Sequence, residues 1–100
     1  MASLRFEWAP AKAAANRRKH DVSFEEAQSV FLDEQALLIA DPEHSVGEER
    51  FVLLGMSARL RLLVVVHAYW DPTGVIRLIT ARKANRRESR AYIERRGRSN

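Results

Sequence analysis

Three apolar runs in succession constrain the fold of this chain more than any other feature. Residues 50–57, 61–70 and 75–80 are rich in Leu, Val and Ile, and each is short enough to be a buried strand. The connections between them are short, and the second, residues 71–74, reads Asp-Pro-Thr-Gly, which is typical of a turn. Short connections join antiparallel neighbours, so the runs predict consecutive hairpins in a sheet that is covered on at least one face.

The remaining elements can be placed around this sheet. Residues 4–8 alternate apolar and charged side chains as a strand does, and residues 37–40 are another short apolar run. Two helices are predicted between them, over residues 11–20 and 24–31, the second beginning with a Ser-x-x-Glu capping box. In the first helix, the small residues Ala11, Ala14 and Ala15 are expected to face another element. A polar helix follows the last strand.

The element order β-α-α-β-β-β-β-α predicts an α+β fold in one domain. We expect an antiparallel sheet of four to five strands, packed by the two N-terminal helices and followed by a basic C-terminal helix. A chain of 100 residues has room for one such core. The domain is predicted to span residues 1–94, with residues 95–100 as a frayed basic tail.

Charge is unevenly distributed along the chain. Eight of the 17 Lys and Arg residues lie in the last nineteen positions, where there are only two acids, and the net charge of the chain is +4. Residues 33–49, by contrast, carry six acidic side chains and no Lys or Arg. A strongly basic end favours a polyanionic partner, either nucleic acid or an acidic protein surface.

Composition also excludes several kinds of site. The chain has no Cys, and His20, His44 and His67 lie in separate elements without metal-ligand spacing, so we expect neither a metal nor a cofactor. There is no Gly-rich phosphate loop and no nucleophile elbow. The N-terminus lacks a signal-like apolar core and the longest apolar run is residues 62–66, which predicts a cytoplasmic protein.

The basic C-terminal helix is the first candidate site. At 3.6 residues per turn, Lys83, Arg87, Arg90 and Glu94 fall near one helix face. Such a face could bind RNA phosphates, or it could be an ordinary solvated surface. Arg82 and Arg86 lie beside it.

Two further groups could take part in chemistry. His67 and Tyr69 alternate along a strand and share one face, where they could transfer protons or simply form local hydrogen bonds at the sheet. Arg77, within an apolar strand, either points to water or is held for an anion. A second basic cluster on the first helix, again either a binding or an ordinary surface, comprises Lys12, Arg17, Lys19 and His20.

Motifs spread over residues 6–94 resemble one known family. They include Phe-Glu-Trp at 6–8, Lys-His at 19–20, Val-Ser-Phe-Glu-Glu-Ala at 22–27, Val-Val-His at 65–67 and Ile-Thr-Ala-Arg-Lys-Ala at 79–84. In combination these motifs look like the BrnT toxins of bacterial type II toxin-antitoxin modules. The resemblance implies a RelE-like ribonuclease fold and an activity that cleaves RNA and arrests growth. It also implies neutralisation by a small dimeric DNA-binding BrnA antitoxin, with operator DNA bound only through the complex.

Residue roles follow as expectations from metal-free RNA cleavage by 2′-hydroxyl attack. Electrostatic roles are expected for Arg77, Arg82 and Lys83, and acid or base roles for His20, His67, Tyr69 and Glu94. RNA binding is expected from Lys12, Lys19, Arg86, Arg87 and Arg90.

The chain departs from the family pattern at two positions. Ala9 stands where Asp is typical, and Asp21 where Gly is typical. Because either change could weaken activity, the alternative is a catalytically weak or inactive protein that binds the antitoxin and acts mainly as a co-repressor.

Overall fold

The computed structural model describes residues 4–40, 48–70 and 74–97, and these contain one five-stranded sheet with the strand order β1-β5-β4-β3-β2. Each strand corresponds to an apolar or alternating run in the sequence. Strands β3, β4 and β5 are the three apolar runs described above, and they form the centre of the sheet. The bounds are β1 (Arg5–Glu7), β2 (Leu37–Ala40), β3 (Arg50–Met56), β4 (Leu62–Trp70) and β5 (Val75–Lys83).

The sheet is mixed, whereas an antiparallel sheet was predicted. Strands β2 to β5 pair antiparallel in sequence order, but β1 adds to the outer side of β5 in the parallel direction. It pairs only with the first third of β5, residues 75–77. Alternation in the sequence of β1 indicates a strand with one buried face, but the direction of pairing depends on how the chain returns, which no local pattern contains.

Helices α1 (Pro10–His20) and α2 (Phe24–Ser29) follow β1, and α2 continues into a 3₁₀ turn, Val30–Leu32. The predicted N-cap is confirmed, since the Ser23 hydroxyl accepts a hydrogen bond of 3.0 Å from the Glu26 amide. The sequence predicted that this helix reaches residue 31, but the α-helix ends at Ser29, directly before the 3₁₀ turn. Its tighter last turn still places Val30 in the core.

Helix α3 (Arg86–Gly97) follows β5. A capping box begins it: the Glu88 amide donates to Asn85 Oδ1 at 2.8 Å, and the Asn85 amide donates to Glu88 Oε1 at 2.9 Å. Residues 95–97, which belong to the tail predicted to fray, are helical.

The two faces of the sheet carry separate apolar clusters. One face packs against α1 and α2. The core between them includes the fully buried side chains of Phe24 from α2 and of Leu63 and Val65 from β4. The other face packs against α3, where Tyr92 contacts a smaller cluster that includes Leu54 and Val64. This arrangement explains why β3, β4 and β5 are apolar on both faces.

Some predicted features lie elsewhere or outside the described residues. In α1, Ala11, Ala14 and Ala15 are exposed, so the predicted stripe is wrong; Ala13 and Asn16 face the sheet instead. Most of the acidic segment, including His44, and all but the last residue of the predicted Asp-Pro-Thr-Gly turn lie outside the described residues.

Gly55 allows the segment before β2 to pack closely on β3. A Cβ atom at Gly55 would lie 2.9 Å from both the Ala36 Cβ and a Val30 methyl group. We expect Gly55→Ala to lower the free energy of unfolding by about 1–3 kcal/mol because these atoms must move apart. Urea unfolding measures this change. Gly97→Ala, where the added Cβ meets nothing within 4 Å, is the matched control and should not be destabilised.

Ala9 leaves the start of α1 without a side-chain cap. It has the extended conformation of an N-cap, with φ −79° and ψ 129°, but no side-chain oxygen to accept from the first turn. We expect Ala9→Asp to raise the free energy of unfolding by about 0.5–2 kcal/mol through a cap hydrogen bond and the helix dipole. Thermal unfolding measures it. Ala14→Asp, at an exposed position within the same helix, should not stabilise the fold.

Candidate functional site

A groove between α1 and β5 brings together several of the predicted site residues. This α1–β5 groove has a volume of about 210 Å³. Positions 12, 15, 16, 19 and 20 recur on one face of the helix, so one side of α1 supplies most of the lining. The lining residues are Lys12, Ala15, Asn16, Lys19 and His20 from α1, with Ile79 and Thr80 from β5.

Asn16 forms the floor of this groove and joins α1 to the sheet. Its side-chain amide donates to the Ala81 carbonyl at 2.8 Å and accepts from the Ala81 amide at 3.0 Å. It also donates to the Val22 carbonyl at 2.9 Å, so one side chain satisfies three backbone groups. Strand β1 pairs only with the start of β5 and does not reach Ala81. The Asn16 side chain therefore makes the hydrogen bonds to the Ala81 backbone that a neighbouring strand would otherwise make.

Sequence reasoning missed the structural role of Asn16. A signal was present, since Asn has a low helix propensity and stands in the middle of an alanine-rich helix. The side chain of such a residue can form specific hydrogen bonds to backbone groups. Its partner, Ala81, is 65 positions away, which a local pattern does not reveal.

A second group of charges lies at the C-terminal end of α1. The Asp21 carboxylate is 3.8 Å from Lys83 Nζ and 3.9 Å from Arg61 Nη1. Arg61 donates through Nε to Glu26 Oε2 at 2.9 Å and makes a further close contact with Glu26 through Nη2. The hydrogen bond from Arg61 holds the pKa of the buried Glu26 carboxyl below its usual value. The Ser57 hydroxyl donates a further 2.7 Å bond to Glu26.

Arg82, predicted to have an electrostatic role, is paired within the chain. Its guanidinium donates two 2.8 Å hydrogen bonds to the two carboxylate oxygens of Glu88. This fork raises the pKa of Arg82 and lowers that of Glu88. Because Glu88 also completes the capping box of α3, Arg82 links the end of β5 to the start of that helix.

Helix α3 presents its cations to solvent. The exposed cations include Arg86, Arg87 and Arg90. Glu94 is exposed as well. On the opposite side of the helix Tyr92 is buried and donates a 2.7 Å hydrogen bond to Asp33. Burial, followed by this bond to a carboxylate, raises the pKa of Tyr92 to about 12. The Tyr92–Asp33 contact therefore anchors the helix while its basic side remains accessible.

His67 is placed in the core. The side chain is fully buried, with ring centroids 4.8 Å from Phe31 and 5.5 Å from Tyr69, and burial lowers its pKa. Tyr69 shares the face of His67, as predicted, but is 42% exposed. The burial of His67 favours a packing role for this histidine, since no RNA atom can reach its ring in this arrangement.

Arg77 is directed away from His67 and Tyr69. Arg77 is paired with Ala68, the neighbour of Tyr69 on β4. Paired residues share a sheet face and successive residues of a strand alternate faces, so the Arg77 side chain lies on the opposite face from Tyr69. There Arg77 forms an ion pair with Glu48. The predicted catalytic residues are thus divided between the two faces of the sheet.

The described residues contain no cluster of three His, Cys, Asp or Glu side chains suited to a metal ion. In that same part of the chain, no helix is long and apolar enough to cross a membrane.

Comparison with known protein families identifies a match over most of the chain. A family model described as "Ribonuclease toxin, BrnT, of type II toxin-antitoxin system" matches residues 8–88. The matched range includes the α1–β5 groove, the charged residues Asp21, Arg61 and Lys83, and the start of α3. No curated protein matches the chain.

Proposed function

Because the chain belongs to the BrnT family of ribonuclease toxins from type II toxin-antitoxin systems, we propose that it is an endoribonuclease with its active site in the α1–β5 groove. In this proposal, RNA cleavage arrests growth and needs no metal ion. A BrnA-type antitoxin neutralises the toxin, and operator DNA is bound only through the complex of the two.

The observation that supports this site is the position of His20. It lines the groove with Lys12 and Lys19 on the same helix and with Thr80 on β5. A phosphodiester needs a proton acceptor, a proton donor and cations near the phosphoryl oxygens during cleavage. Imidazole is the side chain best suited to exchange protons near neutral pH, and the two ammonium groups supply positive charge.

The proposed reaction is an internal transesterification. The ribose 2′-oxygen attacks the adjacent phosphorus while a base removes its proton, and the bond from phosphorus to the 5′-oxygen breaks. The leaving 5′-oxygen takes up a proton, so the products end in a 2′,3′-cyclic phosphate and a 5′-hydroxyl. His20 serves as one of the proton-transfer groups, and Lys12 and Lys19 stabilise the negative charge that develops on the phosphoryl oxygens.

The other predicted residues take different parts in this proposal. The exposed cations of α3, namely Arg86, Arg87 and Arg90, contact RNA phosphates outside the groove. Arg82 is a positioning residue, because its guanidinium is forked onto Glu88 at the start of that helix. The groove is not lined by Tyr69, Arg77 or Glu94, so these residues take no catalytic step in the proposed reaction.

We propose that the antitoxin covers part of the basic surface of α3. An inhibitor that binds there would exclude RNA directly. Acidic side chains on the antitoxin would complement the exposed Arg residues of α3 and speed association.

Incubation of the purified protein with RNA in EDTA tests the proposed activity. We expect cleavage, with 2′,3′-cyclic phosphate and 5′-hydroxyl ends identified by end-labelling. A reaction that stops in EDTA and recovers with added magnesium would contradict the metal-free mechanism. RNA that stays intact at high protein concentration, while antitoxin binding is retained, would instead favour the alternative of a binding protein that acts as a co-repressor.

A further inference from the structure

Two cations beside the α1–β5 groove share one carboxylate of this chain. Lys83 Nζ and Arg61 Nη1 lie 3.8 Å and 3.9 Å from the same oxygen of Asp21. Asp21 directly follows His20, a lining residue of the groove. The pair of cations is therefore next to the proposed active site.

Arg61 is held in position from within the fold. Its side chain is 23% exposed, and Nε and Nη2 are directed to Glu26, whose side chain is only 3% exposed. Nη2 also donates to the Asp21 carbonyl at 3.0 Å. These contacts orient the guanidinium, and Nη1 is the nitrogen that faces the Asp21 carboxylate. An oriented guanidinium next to an ammonium is well suited to bind a phosphate.

Asp21 itself is in an unfavourable setting for an acid. It has the left-handed conformation, with φ 57°, and caps the C-terminus of α1, where the helix dipole disfavours a negative charge. Its side chain is 82% exposed, so it is not needed to fill the core. Among the residues that the structure describes, its carboxylate forms ion pairs with Lys83 and Arg61. It therefore lies where an external anion would meet both cations.

We propose that Arg61 and Lys83 form a phosphate-binding subsite for single-stranded RNA, and that the Asp21 carboxylate occupies this subsite in the free protein. The inference rests on the proposed function, since it adds a binding position beside the groove. RNA must displace the carboxylate before a phosphate can bind to the two cations. Asp21 therefore lowers the affinity for RNA.

Binding of a 2′-O-methylated oligouridylate tests this inference, because RNA without free 2′-hydroxyl groups binds but cannot be cleaved by 2′-oxygen attack. Asp21→Asn keeps a residue type that tolerates the left-handed conformation and removes the charge. Fluorescence anisotropy should show binding about three- to tenfold tighter at low salt. The slope of log K against log salt should become steeper by about 0.7, as expected for one more phosphate contact on a single strand.

Two variants separate the subsite from a general change in charge. Glu25→Gln removes the same charge at an exposed position of α2 and should bind like the parent protein. Adding Lys83→Gln to Asp21→Asn should remove the gain. Equal tightening by Glu25→Gln, an unchanged Asp21→Asn, or a gain that survives Lys83→Gln would each overturn the subsite. If the parent protein neither binds the oligonucleotide nor cleaves RNA, the proposed function fails and the subsite fails with it.

Discussion

His20→Ala is expected to reduce the rate of RNA cleavage by roughly 10²–10⁴-fold, the usual contribution of a general acid or base. His20 contributes the imidazole ring among the side chains that line the α1–β5 groove. The measurement is single-turnover cleavage of a defined RNA. The same variant should no longer arrest growth when it is expressed without the antitoxin.

Arg18→Ala is the matched control for this prediction. It removes a charged, exposed side chain from the same helix, at a position that does not line the groove. We expect less than a tenfold loss, because only the general positive field changes. Cleavage at the parental rate by a folded His20→Ala variant would remove His20 from the mechanism, and Tyr69, which is partly exposed, would be the next proton-transfer group to test.

Asn16→Ala is expected to lower the free energy of unfolding by about 3 kcal/mol or more, because the Ala81 amide and carbonyl and the Val22 carbonyl each lose a partner. Such groups cost about 1–3 kcal/mol each when they are buried without a hydrogen bond. For a domain of this size the melting temperature should fall by roughly 12–24 °C. Calorimetry measures both quantities.

Asn85→Ala provides a comparison with the same change of residue type. Asn85 caps α3 at an exposed position, and its removal should cost only about 1 kcal/mol. Similar melting temperatures for the two variants would contradict the role given to Asn16 in joining α1 to β5. A second variant, Asn16→Asp, retains an acceptor for the Ala81 amide but loses both donated bonds, so it should also be destabilised.

Much of the fold could be predicted because it depends on local patterns. Alternating or continuous apolar runs predicted all five strands, and the Ser-x-x-Glu sequence predicted the start of α2, where Ser23 is the observed cap. The parallel pairing of β1 could not be predicted in the same way. It depends on which strand edge remains available after the rest of the sheet has formed.

The candidate site was predicted less completely. The sequence predicted a basic cluster on the first helix, made of Lys12, Arg17, Lys19 and His20. All of these except Arg17 line the groove. Whether a charged side chain is free to meet a ligand depends on its tertiary neighbours. Arg82 has its partner in Glu88, and His67 is surrounded by aromatic rings in the core. The same residue types in the same local sequence could equally have been exposed.

The sequence by itself determined the elements and their order, the basic C-terminal end and the family, because each follows from residue types and short spacings. The tertiary structure decided which charges act together. It placed α1 over β5 through Asn16 and Ala81, and it brought Asp21 to Arg61 and Lys83. These contacts join positions 40 to 65 residues apart, and only the folded chain brings such positions within hydrogen-bonding or ion-pair distance.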